Sequence, residues 1–234
     1  MSIPLYLAMT AADFSSPLPE RAAWMAVHFS VADRGISNIP ASLPPGSLVI
    51  LNDQIPWNGH SSGLICSGMV DLLLKTGAEG LLLDFERPAQ PETRELAGSL
   101  ALCCEAIGCP VAMPPAYLSR VPSAVFLPPL PCRVAPEPPE NREVWAEFSP
   151  TALRAVIGAE GTALEEAEPW SVLREAERHP VFREPELGCM YFSRARGTEV
   201  EVSLFDTRET LMEKLCRYPQ ITRAVGCYRE WGSW

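Results

Sequence analysis

Apolar residues fall along this chain in short dense runs, separated by polar gaps marked with glycine or proline. Through the first half, runs of strand length alternate with longer stretches of helical period. Residues 3–9 read as a strand, 20–25 as a short helix or turn, and 26–31 as a second strand. Residues 47–52 (SLVILN) read as a third strand, followed by Asp53. A helix is expected over 61–76, with Ser61 or Ser62 as its N-cap and Gly77 at its C-terminal end. A strand over 81–86 comes next, then a helix over 91–107. Pro91 in its first turn, Gly108 after its end and a stripe of Leu96, Leu100, Cys103 or Cys104, and Ile107 fit that assignment. Residues 110–113 and 124–127 are the fifth and sixth strands.

The regularity then breaks. Residues 110–150 hold eleven of the 24 prolines, interleaved with Val, Phe, Leu and Trp, which implies long ordered loops rather than disorder. Further strands are expected at 143–148 and 155–159, and an acidic helix with a solvated outer face at 164–178. Residues 189–192 and 199–205 flank Arg196-Gly197 as a hairpin. Asp206-x-x-Glu209 has the form of a capping box opening a helix to residue 217. A last strand, 224–228, leads into Arg229-Glu230-Trp231. Alternating helices and near-continuous apolar strands imply a parallel sheet covered by helices. The expected fold is a single α/β domain over residues 1–234. It would be a (β/α)8 TIM-type barrel, compact, with some helices shortened and a late β-hairpin. An open doubly wound sheet is the alternative, although no Gly-rich phosphate loop follows any strand.

Charge narrows the partners. A net charge of −10 argues against a nucleic-acid surface and against docking on anionic membranes, leaving neutral sugars and small polar metabolites. No apolar run approaches the roughly 20 residues of a membrane span. The opening residues MSIPLYLAMTAADF carry no basic segment or long apolar core, so no signal peptide is read and a cytoplasmic location is expected. The cysteines at 66, 103, 104, 109, 132, 189, 216 and 227 form no CxxC pair. None has zinc-like spacing to His28, His60 or His179, so buried free thiols are expected and no metal or cofactor is called for. Nothing in the sequence sets an oligomeric state.

Candidate chemistry concentrates in Gly80-Leu81-Leu82-Leu83-Asp84-Phe85-Glu86. Side chains alternate along a strand, so Leu82, Asp84 and Glu86 share one face and Leu81, Leu83 and Phe85 the other. Two acids at the carboxyl end of a barrel strand stand where such folds bind ligands. The bland alternative is a solvated pair or a salt bridge to Arg87. Asp53 ends the neighbouring strand and either faces the same cleft or caps the turn at 55–59. Trp57 and Trp231 follow strands and are candidates to stack on sugar rings, with core or rim packing as the alternative. Glu147 could reach the cleft from a late strand but reads best as a solvated acid, and His28, set among apolar residues, reads as a satisfied core histidine.

The same stretch resembles the signature Asp-Gly-x-Asp-x-Asp-x-Glu that family-18 glycoside hydrolases, the chitinase-type barrels, carry at the end of their fourth strand. Glu79, Gly80, Leu81, Leu82, Leu83, Asp84, Phe85 and Glu86 stand at its eight positions. The last Asp and the Glu are kept, whereas the first two Asp positions hold Glu79 and Leu82. Residues 191–234 are similar to the end of the same family, especially its spore-associated branch: Val200 to Phe205, Asp206, Leu211, Lys214, Gly226 and Trp231. The resemblance implies hydrolysis of an N-acetylglucosamine-containing glycan, with the substrate's acetamide as nucleophile, outside the usual two-carboxylate scheme. It implies Glu86 as general acid and base, with a pKa raised by its neighbour, and Asp84 as the carboxylate that orients and stabilises the acetamide. The Tyr-Asp pair that normally holds the acetamide on the sixth strand has no counterpart in Phe126-Leu127-Pro128-Pro129-Leu130; Tyr117, Tyr191 and Tyr228 are the tyrosines left to replace it. With Leu82 in place of a charge, a catalytically silent carbohydrate-binding relative is a second reading. An unrelated barrel enzyme holding a divalent metal on Asp53, Asp84 and Glu86 is a third.

Overall fold

The computed structural model describes residues 3–15, 19–30, 35–57, 59, 61–127, 142–216 and 221–231. In chain order its strands and helices begin with β1 (Leu5–Met9), β2 (Ala22–Phe29), β3 (Ile36–Ser37), β4 (Leu48–Asn52) and α1 (Ser62–Thr76). There follow β5 (Gly80–Asp84), α2 (Pro91–Ala106), β6 (Val111–Met113), β7 (Ala124–Leu127) and β8 (Val144–Glu147). The chain then builds β9 (Ala152–Gly158), β10 (Gly161–Glu166), α3 (Pro169–Ala176), β11 (Phe182–Glu184), β12 (Cys189–Arg196) and β13 (Glu199–Phe205). It finishes with α4 (Arg208–Cys216), β14 (Ile221–Cys227) and α5 (Tyr228–Trp231).

Eight of these strands close a parallel barrel in the order β1, β2, β4, β5, β6, β7, β8, β14, with β14 pairing back onto β1. Strand β3 adds antiparallel to β2. The (β/α)8 expectation therefore holds; among the described residues the long helices are α1 and α2, and short 3-10 turns, Ala11–Ser15 and Pro115–Tyr117, follow β1 and β6. Alternation along the strands sorts their side chains into two layers. Tyr6, Leu48, Ile50, Leu82, Phe126, Trp145 and Val225 fill the barrel interior. Val49, Leu51, Leu81, Leu83 and Phe85 face outward onto Ile65, Met69 and Leu72 of α1 and Leu96 and Leu100 of α2. Each fully buried leucine contributes roughly 1.5–3 kcal/mol relative to exposure. Gly80 is required by proximity: a Cβ there would stand 2.7 Å from the Trp145 ring and 2.8 Å from Leu48.

Between the last two barrel strands, β9 to β13 form a separate antiparallel sheet in the order β10-β9-β13-β12-β11. Glu175 of α3 binds Arg154 and Arg194 on one face of this sheet. Its attachment to the barrel is a buried polar knot. The fully buried Asp206 accepts from the Thr151 amide at 2.7 Å, from Thr210 Oγ1 at 2.8 Å and from Lys214 Nζ at 2.7 Å. It thereby ties the chain entering the second sheet to the chain leaving it.

Four expectations change. The segment expected at 20–25 as a short helix or turn is strand from Ala22 onward, the start of β2. The helix expected at 164–178 divides into the exposed edge strand β10 and the short α3, whose first residue is Pro169. The α4 cap is made by Thr207 and Thr210, which exchange side-chain and amide hydrogen bonds, because Asp206 is engaged by Lys214. The strand at 81–86 ends at Asp84, its partner β4 having ended at Asn52. Cys132, His60 and residues 128–141 of the proline-rich stretch lie outside the described residues.

Candidate active site

The carboxyl ends of the barrel strands carry a ring of polar side chains in phase with the interior layer. Asp84 follows Leu82 on the fourth barrel strand, and Glu147 follows Trp145 on the seventh. Asn52, buried at the end of the third, stands in register with Asp84. Its Nδ2 donates to Met25 O at 2.9 Å, and its Oδ1 lies 2.5 Å from His28 Nδ1 and accepts from the Gln54 amide at 3.2 Å. His28 is therefore held by a partner, as expected, but at the mouth rather than in the core.

Past Asp84 the backbone stops making ladder bonds and turns to Asp53. The amides of Glu86 and Arg87 each donate to one Asp53 carboxylate oxygen, both at 3.0 Å. Arg87 Nε reaches the carbonyl of Asp53 at 2.8 Å and its Nη2 that of Gln54 at 3.1 Å. Arg87 thus braces this loop and makes no salt bridge to Asp84 or Glu86. Asp53 is buried and clamps the segment that presents Glu86, rather than standing free in the mouth. With both its oxygens engaged by amides, it is poorly placed as a metal ligand. Among the described residues no group of three or more His, Cys, Asp or Glu is arranged to hold a metal ion.

Tyr117 and Trp57 gather beside the mouth rather than in it. Tyr117 is buried, donates its hydroxyl to Arg87 O at 2.9 Å and meets the Phe85 ring edge-on at 5.2 Å. Phe29 bridges Phe85 and Trp57 at 5.7 and 6.3 Å. These rings line a cavity of about 270 Å³ with Asp53 and Arg87, on the helix side of the strand ends. A larger cavity, about 670 Å³, lies at the opposite, amino end of β6 to β8, beside Pro110, Ala124 and Glu143. Chemistry favours the carboxyl end, since barrels reserve the other for stability. Tyr228 is half-buried at the start of α5, Tyr191 lies in the second sheet, and the Trp231 side chain is outside the described residues.

Electrostatics mark the mouth as unusual. Burial, then the nearby Glu86 and Asp53, push Asp84 up to about 6. Burial, then Asp84, Glu230 and Glu86, push Glu147 up to about 7. Burial raises Glu230 on α5 as well, with Glu168 adding to the rise and a hydrogen bond from Ser149 opposing it. Glu147 is half-buried rather than the solvated acid its sequence context suggested. Sequence reasoning leaves out Asn52 and Glu230 and ranks a cleft position for Glu147 below a solvated one. Alternation from Ile50 and from Trp145 was the available signal for Asn52 and Glu147.

No protein-family model and no curated protein matches the sequence. Solved structures do resemble it in shape. The Bacillus cereus spore cortex-lytic enzyme SleL superposes with a TM-score of 0.58 at 10% identity, over 99% of this chain and 73% of that one. A chitinase from Chromobacterium violaceum gives 0.58 at 10% identity, over 96% and 93%. A family-18 chitinase from Cycas revoluta in complex with (GlcNAc)4 gives 0.54 at 11% identity, over 95% and 94%. The chain accordingly has the fold of the chitinase-type, family-18 barrels, and Asp84 ends the strand at which the resembling motif is carried.

Proposed function

We propose that this barrel binds an N-acetylglucosamine-containing glycan across its carboxyl mouth and hydrolyses it with the help of the substrate's own acetamide. The observation that supports this reading is the placement of Asp84 and Glu86 at the mouth of the fourth barrel strand, in a fold shared with chitinases and cortex-lytic enzymes. Glu86, exposed on a loop fixed through Asp53, gives its proton to the glycosidic oxygen as the bond to the anomeric carbon breaks. The acetamide oxygen closes onto that carbon. Asp84 faces the acetamide N–H and the positive charge that develops on it. Water then opens the ring with Glu86 as base, and the anomeric configuration is retained.

The test is turnover of chito-oligosaccharides or peptidoglycan fragments by the intact chain. Glu86→Gln should lower kcat by about 10²–10⁴-fold, and the first product detected by NMR should keep the substrate's anomeric configuration. One observation favours a second reading, a catalytically silent glycan-binding relative: Leu82, beneath Asp84, is sealed in the barrel interior and offers no charge there. Binding without turnover, equal in Glu86→Gln, would select it.

A further inference from the structure

The mouth holds one more interior-facing carboxylate than the proposed reaction uses. Asp84 and Glu147 rise from the fourth and seventh barrel strands, each two residues beyond a side chain that fills the interior. Both are half-buried. Around Asp84 stand Glu86, Asp53 and, in register, Asn52 with His28 behind it. Around Glu147 stand Asp84, Glu86 and Glu230, with Ser149 and Glu168 next to Glu230. Among the described residues no lysine or arginine pairs with Asp84, Glu86 or Glu147. Arg87 is turned to the carbonyls of Asp53 and Gln54, and Arg229 reaches Asp13 at 3.0 Å.

Two carboxylates in one partly desolvated mouth without a counter-charge do not both ionise readily, and strongly interacting groups titrate as a pair. We propose that Asp84 and Glu147 keep one proton between them near neutral pH, which makes Glu147 the positioning residue that lets Asp84 carry its charge alone. The rise at Glu147, to which Asp84 adds after burial, agrees with this arrangement. Its catalytic meaning rests on the function proposed above. When Glu86 releases its proton to the leaving sugar, the mouth gains a negative charge, and a neutral Glu147 keeps that charge from being the third in one cleft.

The experiment is a ¹³C-carboxyl NMR titration of the intact chain, wild type against the near-isosteric Glu147→Gln, with Glu147→Asp as the conservative control. In wild type the Asp84 carboxyl carbon should report two steps. In Glu147→Gln it should report one, with its midpoint lowered by at least about half a pH unit, and Glu147→Asp should restore the second step. An Asp84 curve that is single-stepped in wild type and superimposes on that of Glu147→Gln overturns the proposal. In parallel, the kcat profile on chito-oligosaccharide should lose its upper, near-neutral step in Glu147→Gln with KM little changed. If wild type turns nothing over, the hydrolase reading fails, while the titration still decides the pairing.

Discussion

Asp53→Asn isolates the contribution of the clamp beneath Glu86. In the native protein both Asp53 oxygens receive backbone amides, from Glu86 and Arg87, at 3.0 Å each. Hydrogen bonds to a charged group contribute about 1.5–3 kcal/mol apiece. The asparagine keeps one of them as a neutral bond and turns an NH2 toward the other amide, leaving a buried donor unmet at about 1–3 kcal/mol. The expected loss is about 2–4 kcal/mol, or roughly 4–16 °C in midpoint for a chain of this size. Urea unfolding monitored by circular dichroism measures it. A second consequence is electrostatic. The Asp53 charge helps to raise Asp84, so its removal should lower the Asp84 midpoint in a carboxyl NMR titration. A stability change under about 0.5 kcal/mol, with the Asp84 titration unmoved, would refute the clamp: the amides would then be satisfied by water and the Glu86 loop held by Arg87 and Tyr117 alone.

Lys214→Met strands the buried Asp206 carboxylate and should cost about 3–5 kcal/mol in urea unfolding, most of it recovered by adding Asp206→Leu. Gly80→Ala drives a methyl against Trp145 and should cost about 1–3 kcal/mol, reduced when Trp145 is also shortened to Phe. Stability should fall as pH rises from about 4 to 7, because Asp84 and Glu147 hold protons in the folded state that they have already released in the unfolded one. The sign follows from folded values, about 6 and about 7, that lie above the ordinary 3.8 and 4.5. Glu147→Gln should remove part of that fall, on the order of 2 kcal/mol at pH 8 after allowance for solvent screening; unfolding curves at pH 4.5 and 8 compare it.

Much of the barrel was legible because its strands are buried on both faces. The runs at 48–51 and 81–83 are apolar without interruption, and the capping glycine at 77 and the proline at 91 mark the end of α1 and the start of α2. Strand β2 was read late because a bulge between Trp24 and Val27 breaks its period of two. His28 reads as a core residue because Val27 and Phe29 flank it, and only its register opposite Asn52 puts it at the mouth. Strand β10 was missed because every residue in it is exposed and nothing selects one face for apolar side chains. The acids at 84 and 86 were found by their place at a strand end. The role of Asp53 was not, since its partners are backbone amides 33 and 34 residues away, set by tertiary approach rather than by any local pattern. Glu147 needed both its strand phase and the knowledge that the fourth and seventh strands share one mouth.

The pairing of β14 with β1 has a consequence for how the molecule is made. Leu5 to Ala8 lie opposite Ala224 to Cys227, so the barrel seam joins segments more than 200 residues apart. Strand β1 emerges from the ribosome first, yet one of its two edges stays open until β14 arrives, after the whole second sheet has been synthesised. During that interval the nascent barrel is an open, twisted sheet with an adhesive flank, and contacts of such long sequence separation form slowly. A ribosome-stalled chain ending before residue 221 should therefore remain protease-sensitive and prone to associate, however well β2 to β8 have paired, and the β9 to β13 sheet acts as a timed delay before the barrel can shut.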